Sequence, residues 1–192
     1  MAVAEFNADG FGRLLADRDR RELELETFAP AAVLIPILTF DGPPRILLTV
    51  RSSHVEHHKN QISFPGGRVD EGESAPETAL RETHEEVGIE PSRVRLIGAI
   101  DDIYTISNFR VTPLVGLVEN PVRLDANPAE IAEIIEVPIR DLLDEAQHRR
   151  EPGMWRQVQI TLHFFYWKSH IIWGATGMIL DQFLDLYRSE FL

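Results

Sequence analysis

Segments of strand character interleave with segments of helical character along the chain, and that alternation predicts an α/β domain of stacked layers. Two local observations support it. A central helix carries its own start and stop signals, and the apolar runs around it are short and bounded by turn residues, as buried strands are. At 192 residues the chain fits one domain with a substantial core, and no repeat, low-complexity tract or Pro/Ser/Gly-rich linker divides residues 1–192.

The elements read in order as follows. Asp9 to Glu22 forms a helix within an N-terminal helical extension of residues 1–30. Ala31 to Thr39 is a buried strand, and Asp41-Gly42-Pro43-Pro44 turns the chain into a second strand, Arg45 to Arg51. A polar stretch, Ser52 to Asn60, leads to Phe64-Pro65-Gly66-Gly67. In the helix that follows, Ser74 and Glu77 make an S-x-x-E capping box, Pro76 sits in the first turn and Gly88 supplies the C-terminal cap. Further strands are expected near Arg93 to Ile100, Arg110 to Val118 and Glu133 to Val137. A short helix from Pro138 to Ala146 precedes strands at Val158 to Trp167 and His170 to Trp173. In the first of these, Phe164 to Trp167 reads as core more readily than as a platform for a base. The terminal helix, Ala175 to Tyr187, presents Met178, Ile179, Phe183, Leu184 and Leu186 for core packing, with a dimer contact as the alternative.

Composition excludes several classes. A formal net charge of −12 argues against a nucleic-acid groove, which needs clustered Lys and Arg. No run of about 18 uncharged apolar residues is present, and the N-terminus lacks the basic start and apolar block of a signal peptide. A soluble cytoplasmic protein, monomeric or homodimeric, with no nucleic-acid or membrane partner is therefore expected. With 0 cysteines, thiolate metal sites and cysteine nucleophiles are absent.

The chemistry lies on the capped helix. At about 100° per residue, Glu82, Glu85 and Glu86 share one strip, roughly 120° from a packing face of Ala79, Leu80, Thr83 and Val87. Carboxylates at this spacing repel one another, so a hard cation is expected among them. Mg2+ and Mn2+ take oxygen ligands and usually combine one or two carboxylates with substrate phosphates, which points to a small phosphate-bearing substrate. Basic residues able to meet it are Arg51, His54, His57, His58, Lys59, Arg68 and Arg81. The histidines at 54, 57 and 58 lack a carboxylate or cysteine partner at ligand spacing, so a substrate-facing loop is preferred to a zinc site.

Gly67, Glu73, Arg81, Glu82, Glu85, Glu86, Gly88 and Ile89 fall in the register G-x5-E-x7-R-E-U-x-E-E-x-G-U, so residues 67–89 resemble the Nudix box. Seven fixed positions agree by chance in about one window in 10⁸. Thr83 stands where the pattern has an aliphatic residue, a change expected to affect packing only. The resemblance implies a Nudix-type α/β/α sandwich with a mixed sheet between helices, and a hydrolase of diphosphate bonds. In that framework Glu82 and Glu86 are the main metal ligands. Glu85 ligates directly or through water, and the carbonyl of Gly66 or Gly67 adds an oxygen. Arg81 is expected to pair with Glu73 and lock the loop onto the helix. Glu82 is the first candidate for general base, with Glu119, Glu130 and Glu133 as alternatives outside the box.

Leu47-Leu48-Thr49-Val50-Arg51-Ser52, followed at fixed distance by Phe64-Pro65-Gly66-Gly67, resembles the motif of the coenzyme A diphosphatase branch. Ile172-Trp173-Gly174-Ala175-Thr176 resembles it too. That branch cleaves coenzyme A to adenosine 3′,5′-bisphosphate and 4′-phosphopantetheine, which makes Arg51, His57, His58, Lys59, Phe64 and Arg68 the candidates for holding substrate. Glu56 replaces the motif's arginine and Asn60 its glycine. ADP-ribose, NADH or nucleotide sugars are the alternative substrates, and a nucleotide-binding module without turnover is the reading from another class.

Overall fold

The computed structural model describes residues 6–24, 27–52 and 61–192. Its elements in chain order are α1 (Ala8–Asp17), β1 (Ala29–Leu38), β2 (Arg45–Arg51), β3 (Ile62–Ser63), β4 (Gly66–Arg68) and α2 (Ala75–Val87). They continue with β5 (Arg95–Ala99), β6 (Ile103–Tyr104), β7 (Phe109–Val118), β8 (Ile131–Pro138), α3 (Ile139–Leu142), β9 (His148–Trp155), β10 (Val158–Trp167), β11 (His170–Ile172) and α4 (Gly174–Phe191). The strands before β9 form one mixed sheet, ordered β3-β2-β1-β7-β5 along its main path, with β4 on β1, β6 on β7 and β8 on β2. Only β1 and β7 run parallel there, from Ala29 opposite Phe109 to Leu38 opposite Val118. The last three strands make an antiparallel sheet, β11-β10-β9.

Period-two alternation splits the core into two layers. Ile35, Ile37, Ile46, Leu48, Val115 and Leu117 face one side and pack with Phe11, Leu15, Ile179, Phe183, Leu184 and Tyr187 of α1 and α4. On the other side Leu38, Leu47 and Val118 meet Val87 and Ile89, while Ala32, Leu34 and Leu114 meet Ala79 of α2. Helices thus cover both faces of a mixed sheet, as expected. Ala32 and Ala79 are both fully buried, and their small side chains let α2 lie close to β1.

Most predicted elements occur within a few residues of their expected bounds. Strand β9 was not foreseen. Its sequence, HRREPGMW, lacks apolar alternation, and Pro152-Gly153 reads as a turn. Both residues are tolerated because β9 is an edge strand paired only to β10. The aromatic run divides by face, with Phe165 in the core and Tyr166 exposed. None of the described helices is long and apolar enough to cross a membrane.

Candidate active site

Helix α2 begins as its sequence dictates. The Ser74 hydroxyl accepts from the Glu77 N–H (3.4 Å), and the Glu77 carboxylate accepts from the Ser74 N–H (2.8 Å). It ends at Gly88, whose left-handed φ of 76° suits glycine. Thr83 is fully buried, and its hydroxyl donates to the Ala79 carbonyl at 2.6 Å, so the polar atom brings no unmet hydrogen bond into the core.

Beneath the helix, β4 pairs antiparallel with β1, placing Gly67 opposite Ala32 and Gly66 opposite Val33. A Cβ on Gly67 would lie 2.5 Å from Cδ of Glu82. One on Gly66, where φ is 155°, would lie 2.6 Å from Cα of Val33. The two glycines therefore let the backbone thread between the sheet and the carboxylates of α2.

Glu86 is the group whose environment is least ordinary. Only 2 % exposed, it leaves Oε2 buried without a hydrogen-bond partner among the described residues, while Oε1 lies 3.8 Å from Nη1 of Arg51. Burial raises its pKa to about 8, against the pull of Arg51 and with a further push from Glu82 and Glu130. Burial also raises Glu82, although a hydrogen bond from Arg81 opposes it. The packing face is therefore wider than expected, and one of the three glutamates is inside it.

Arg81 pairs with Glu73 as expected, donating from Nε to Oε1 at 2.8 Å and from Nη2 to Oε2 at 3.0 Å. Thr78 donates to the same carboxylate at 2.6 Å, and these hydrogen bonds, Arg81 first, hold Glu73 down to about 2. Arg81 also reaches the acidic strip. Its Nη1 donates to Glu82 at 2.9 Å and to Glu85 at 3.1 Å. Its long side chain bridges the loop and the strip at once.

Of the remaining candidates, Arg51 stands at the end of β2, beside Glu86, with Nε buried and without a hydrogen-bond partner among the described residues. Arg68 is exposed, and its carbonyl accepts weakly from Arg81. Phe64, expected to meet substrate, is 2 % exposed and packs in the main core, so its ring offers no face to a ligand. His54, Glu56, His57, His58, Lys59 and Asn60 lie outside the described residues. Among the three carboxylates outside the box, Glu119 pairs with Arg95 and Glu133 approaches His170. Glu130 alone acts on both Glu82 and Glu86.

Sequence reasoning missed how Glu130 gets there. The Asp125 and Asn127 N–H groups donate to the Val87 and Glu86 carbonyls (2.9 and 3.0 Å), closing the end of α2 and carrying residues 125–130 to it. The Glu130 carbonyl in turn accepts from the Ser52 N–H at 2.7 Å. No local signal marks Asn127 as a partner of a helix forty residues earlier.

A hard cation fits this arrangement. It has an unpartnered buried carboxylate oxygen, a second half-buried carboxylate one turn away, a backbone cradle only glycine permits and an all-oxygen donor set. Glu86, Glu82, Glu85 and the Gly67 carbonyl are the candidates to hold it.

Residues 27–158 match the NUDIX domain. An uncharacterized Nudix hydrolase NudL of Photorhabdus laumondii is 38% identical over 153 residues, covering 79% of this chain and 81% of that one. Nudix hydrolase 3 of Caenorhabditis elegans is 32% identical over 197 residues, covering 93% and 78%. Among solved structures, the C. elegans Ap4A hydrolase binary complex superposes with a TM-score of 0.51 at 21% identity, covering 57% of this chain and 80% of that one. The E. coli ORF135 protein gives 0.51 at 18% identity, covering 87% and 97%. At such identities the structures share the fold. The chain belongs to the Nudix family, and it is a hydrolase of pyrophosphate bonds.

Proposed function

We propose that the protein is a divalent-metal-dependent diphosphatase that hydrolyses coenzyme A or its acyl thioesters to adenosine 3′,5′-bisphosphate and 4′-phosphopantetheine or its acyl form. The observation that carries the metal-dependent part is the buried, unpartnered Oε2 of Glu86 beside Glu82 and Gly67. The substrate is supported by the residues that distinguish this chain from a bare Nudix box. Leu47 to Ser52 and Phe64 to Gly67 flank the site at the motif's spacing, and Arg51 of that motif reaches Glu86.

In this reading Glu86, Glu82, Glu85 and the Gly67 carbonyl hold Mg2+ or Mn2+. When bound, the ion offsets charge on the diphosphate oxygens and makes a water nucleophilic near neutral pH. Arg81 fixes the distance between loop and helix by holding Glu73 on one side and Glu82 on the other. Arg51, whose Nε has no partner among the described residues, is placed to meet an anionic oxygen of the substrate. Glu82, whose proton affinity burial raises, is the first candidate to take the proton from water, and the nearness of Glu130 makes it the second.

A substrate panel of coenzyme A, acetyl coenzyme A, ADP-ribose, NADH and nucleotide sugars tests the proposal, with products separated by chromatography. Coenzyme A or its thioester is expected to give the highest kcat/KM and to release phosphopantetheine. Rapid cleavage of ADP-ribose beside barely detectable cleavage of coenzyme A would reject that substrate. Binding of nucleotides without turnover of any, with Mg2+ or Mn2+ present, would reject the enzyme. A second expectation concerns Glu56, which stands where the branch has a cation. Glu56→Arg should lower KM for coenzyme A about tenfold if the motif's arginine meets phosphate, because a charged hydrogen bond contributes ~1.5–3 kcal/mol. An unchanged KM would mean that the neighbouring basic residues already serve.

A further inference from the structure

The geometry points to a second metal site, distant in sequence from the acidic helix and different in ligand chemistry: we propose that His148, His163 and Asp181 bind a divalent transition ion of the zinc class. Three elements bring these residues together. His148 opens β9 opposite Phe165 of β10, and His163 lies two residues before Phe165, so all three point to the same face of the hairpin. Asp181 meets them from α4. The His148 ring is held by stacking on Phe165, with centroids 3.9 Å apart and planes 17° apart.

Three atoms converge. Nε2 of His148 is 3.1 Å from Nδ1 of His163, which is 3.1 Å from Oδ1 of Asp181, and the third side, Nε2 to Oδ1, is 3.8 Å. The point equidistant from all three corners lies about 2.0 Å from each, the length of a zinc bond to imidazole or carboxylate. An ion slightly out of that plane keeps three protein ligands and an open fourth position.

The two short contacts of the cluster share one atom, His163 Nδ1. If the His163 proton faces Asp181, the same proton must also serve the contact with His148. If the proton sits instead on Nε2 of His148, the lone pair of His163 faces the carboxylate at 3.1 Å. His163 Nδ1, which has one proton or one lone pair, stands in both short contacts, whereas an ion at the centre meets all three atoms. Nδ1 of His148 is buried and has no partner among the described residues. The nearby cations are themselves occupied. Arg150 is 3.9 Å from Asp181, but it donates to Glu145 at 2.9 Å, as does Arg188, which also pairs with Asp185.

Two imidazoles and one carboxylate favour Zn2+ over Mg2+, which takes oxygen ligands. An ion here ties β9 and β10 to α4. The same helix holds the strand before the Phe64 to Gly67 loop, through the Thr176 hydroxyl donating to the Ile62 carbonyl at 2.9 Å.

The test uses the full, tag-free chain stripped with chelator and kept in excess Mg2+ so that oxygen-ligand sites are filled. Titration with Co2+ should give one equivalent with the visible bands of a four-coordinate site, abolished by Zn2+. Zinc at about 100 times its dissociation constant should raise Tm by about 5 °C or more. Asp181→Asn, which keeps the shape and removes the charged ligand, should weaken Co2+ binding at least about tenfold, as ligand losses do, and His163→Ala should abolish the bands. Featureless Co2+ spectra in the parent chain would overturn the proposal, as would unchanged bands and Tm gain in Asp181→Asn.

Discussion

Glu86→Gln is expected to lower kcat for diphosphate hydrolysis by more than about tenfold while making the metal-free protein more stable at neutral and alkaline pH. The two effects share one cause. Glu86 is buried with Oε2 unpartnered, and its pKa is raised to about 8 from an ordinary 4.5. Below 4.5 the carboxyl is neutral in both folded and unfolded chains. Between 4.5 and about 8 the unfolded chain releases the proton and the folded one keeps it, so stability falls by about 1.4 kcal/mol per pH unit. Glutamine does not titrate and escapes that loss. Denaturant melts of the chelated parent and variant should therefore coincide near pH 4.5 and separate toward pH 8, the variant being the more stable. Added Mg2+ should reverse the order by stabilising the parent alone. Equal melts at pH 8 would mean that Glu86 is not held as its burial implies.

Gly67→Ala should lower kcat about 100-fold with the fold retained, because misplacing a catalytic group by an ångström is enough for that. The added methyl would meet the Glu82 carboxylate, the mobile end of a side chain, which can swing aside. Gly66→Ala is the control with the opposite profile. Its methyl would meet the backbone of β1 from a φ of 155°, so stability should fall first. Circular dichroism melts beside initial rates separate the two. If Gly67→Ala keeps full activity, the position of Glu82 against the loop does not matter to the reaction.

Local patterns read well from sequence, and contacts between distant segments did not. The Ser74 and Glu77 capping box, the Gly88 cap and the Arg81 to Glu73 pair all lie within one short segment, where spacing alone decides who meets whom. Glu86 was legible as part of an acidic strip, but its burial was not. That depends on β2 bringing Arg51 and residues 125–130 closing the helix end. Phe64 was a substrate candidate through its place in the motif Phe64-Pro65-Gly66-Gly67, and only the layer formed by α4 and the sheet puts it inside. Strand β9 was invisible because an edge strand needs no apolar alternation. The His148, His163 and Asp181 cluster follows from that same strand, so missing one concealed the other. Glu56, His57, His58, Lys59 and Asn60, which the sequence motif ties to substrate choice, lie outside the described residues and remain expectations of the sequence.

The most direct measurement is coenzyme A cleavage by chelated protein as Mg2+ is restored, parent beside Glu86→Gln, with both products quantified. The account predicts that adenosine 3′,5′-bisphosphate and phosphopantetheine appear in equal amounts, only with the metal, and only weakly in the variant. Cleavage that persists in chelator, or that Glu86→Gln leaves unchanged, would contradict it.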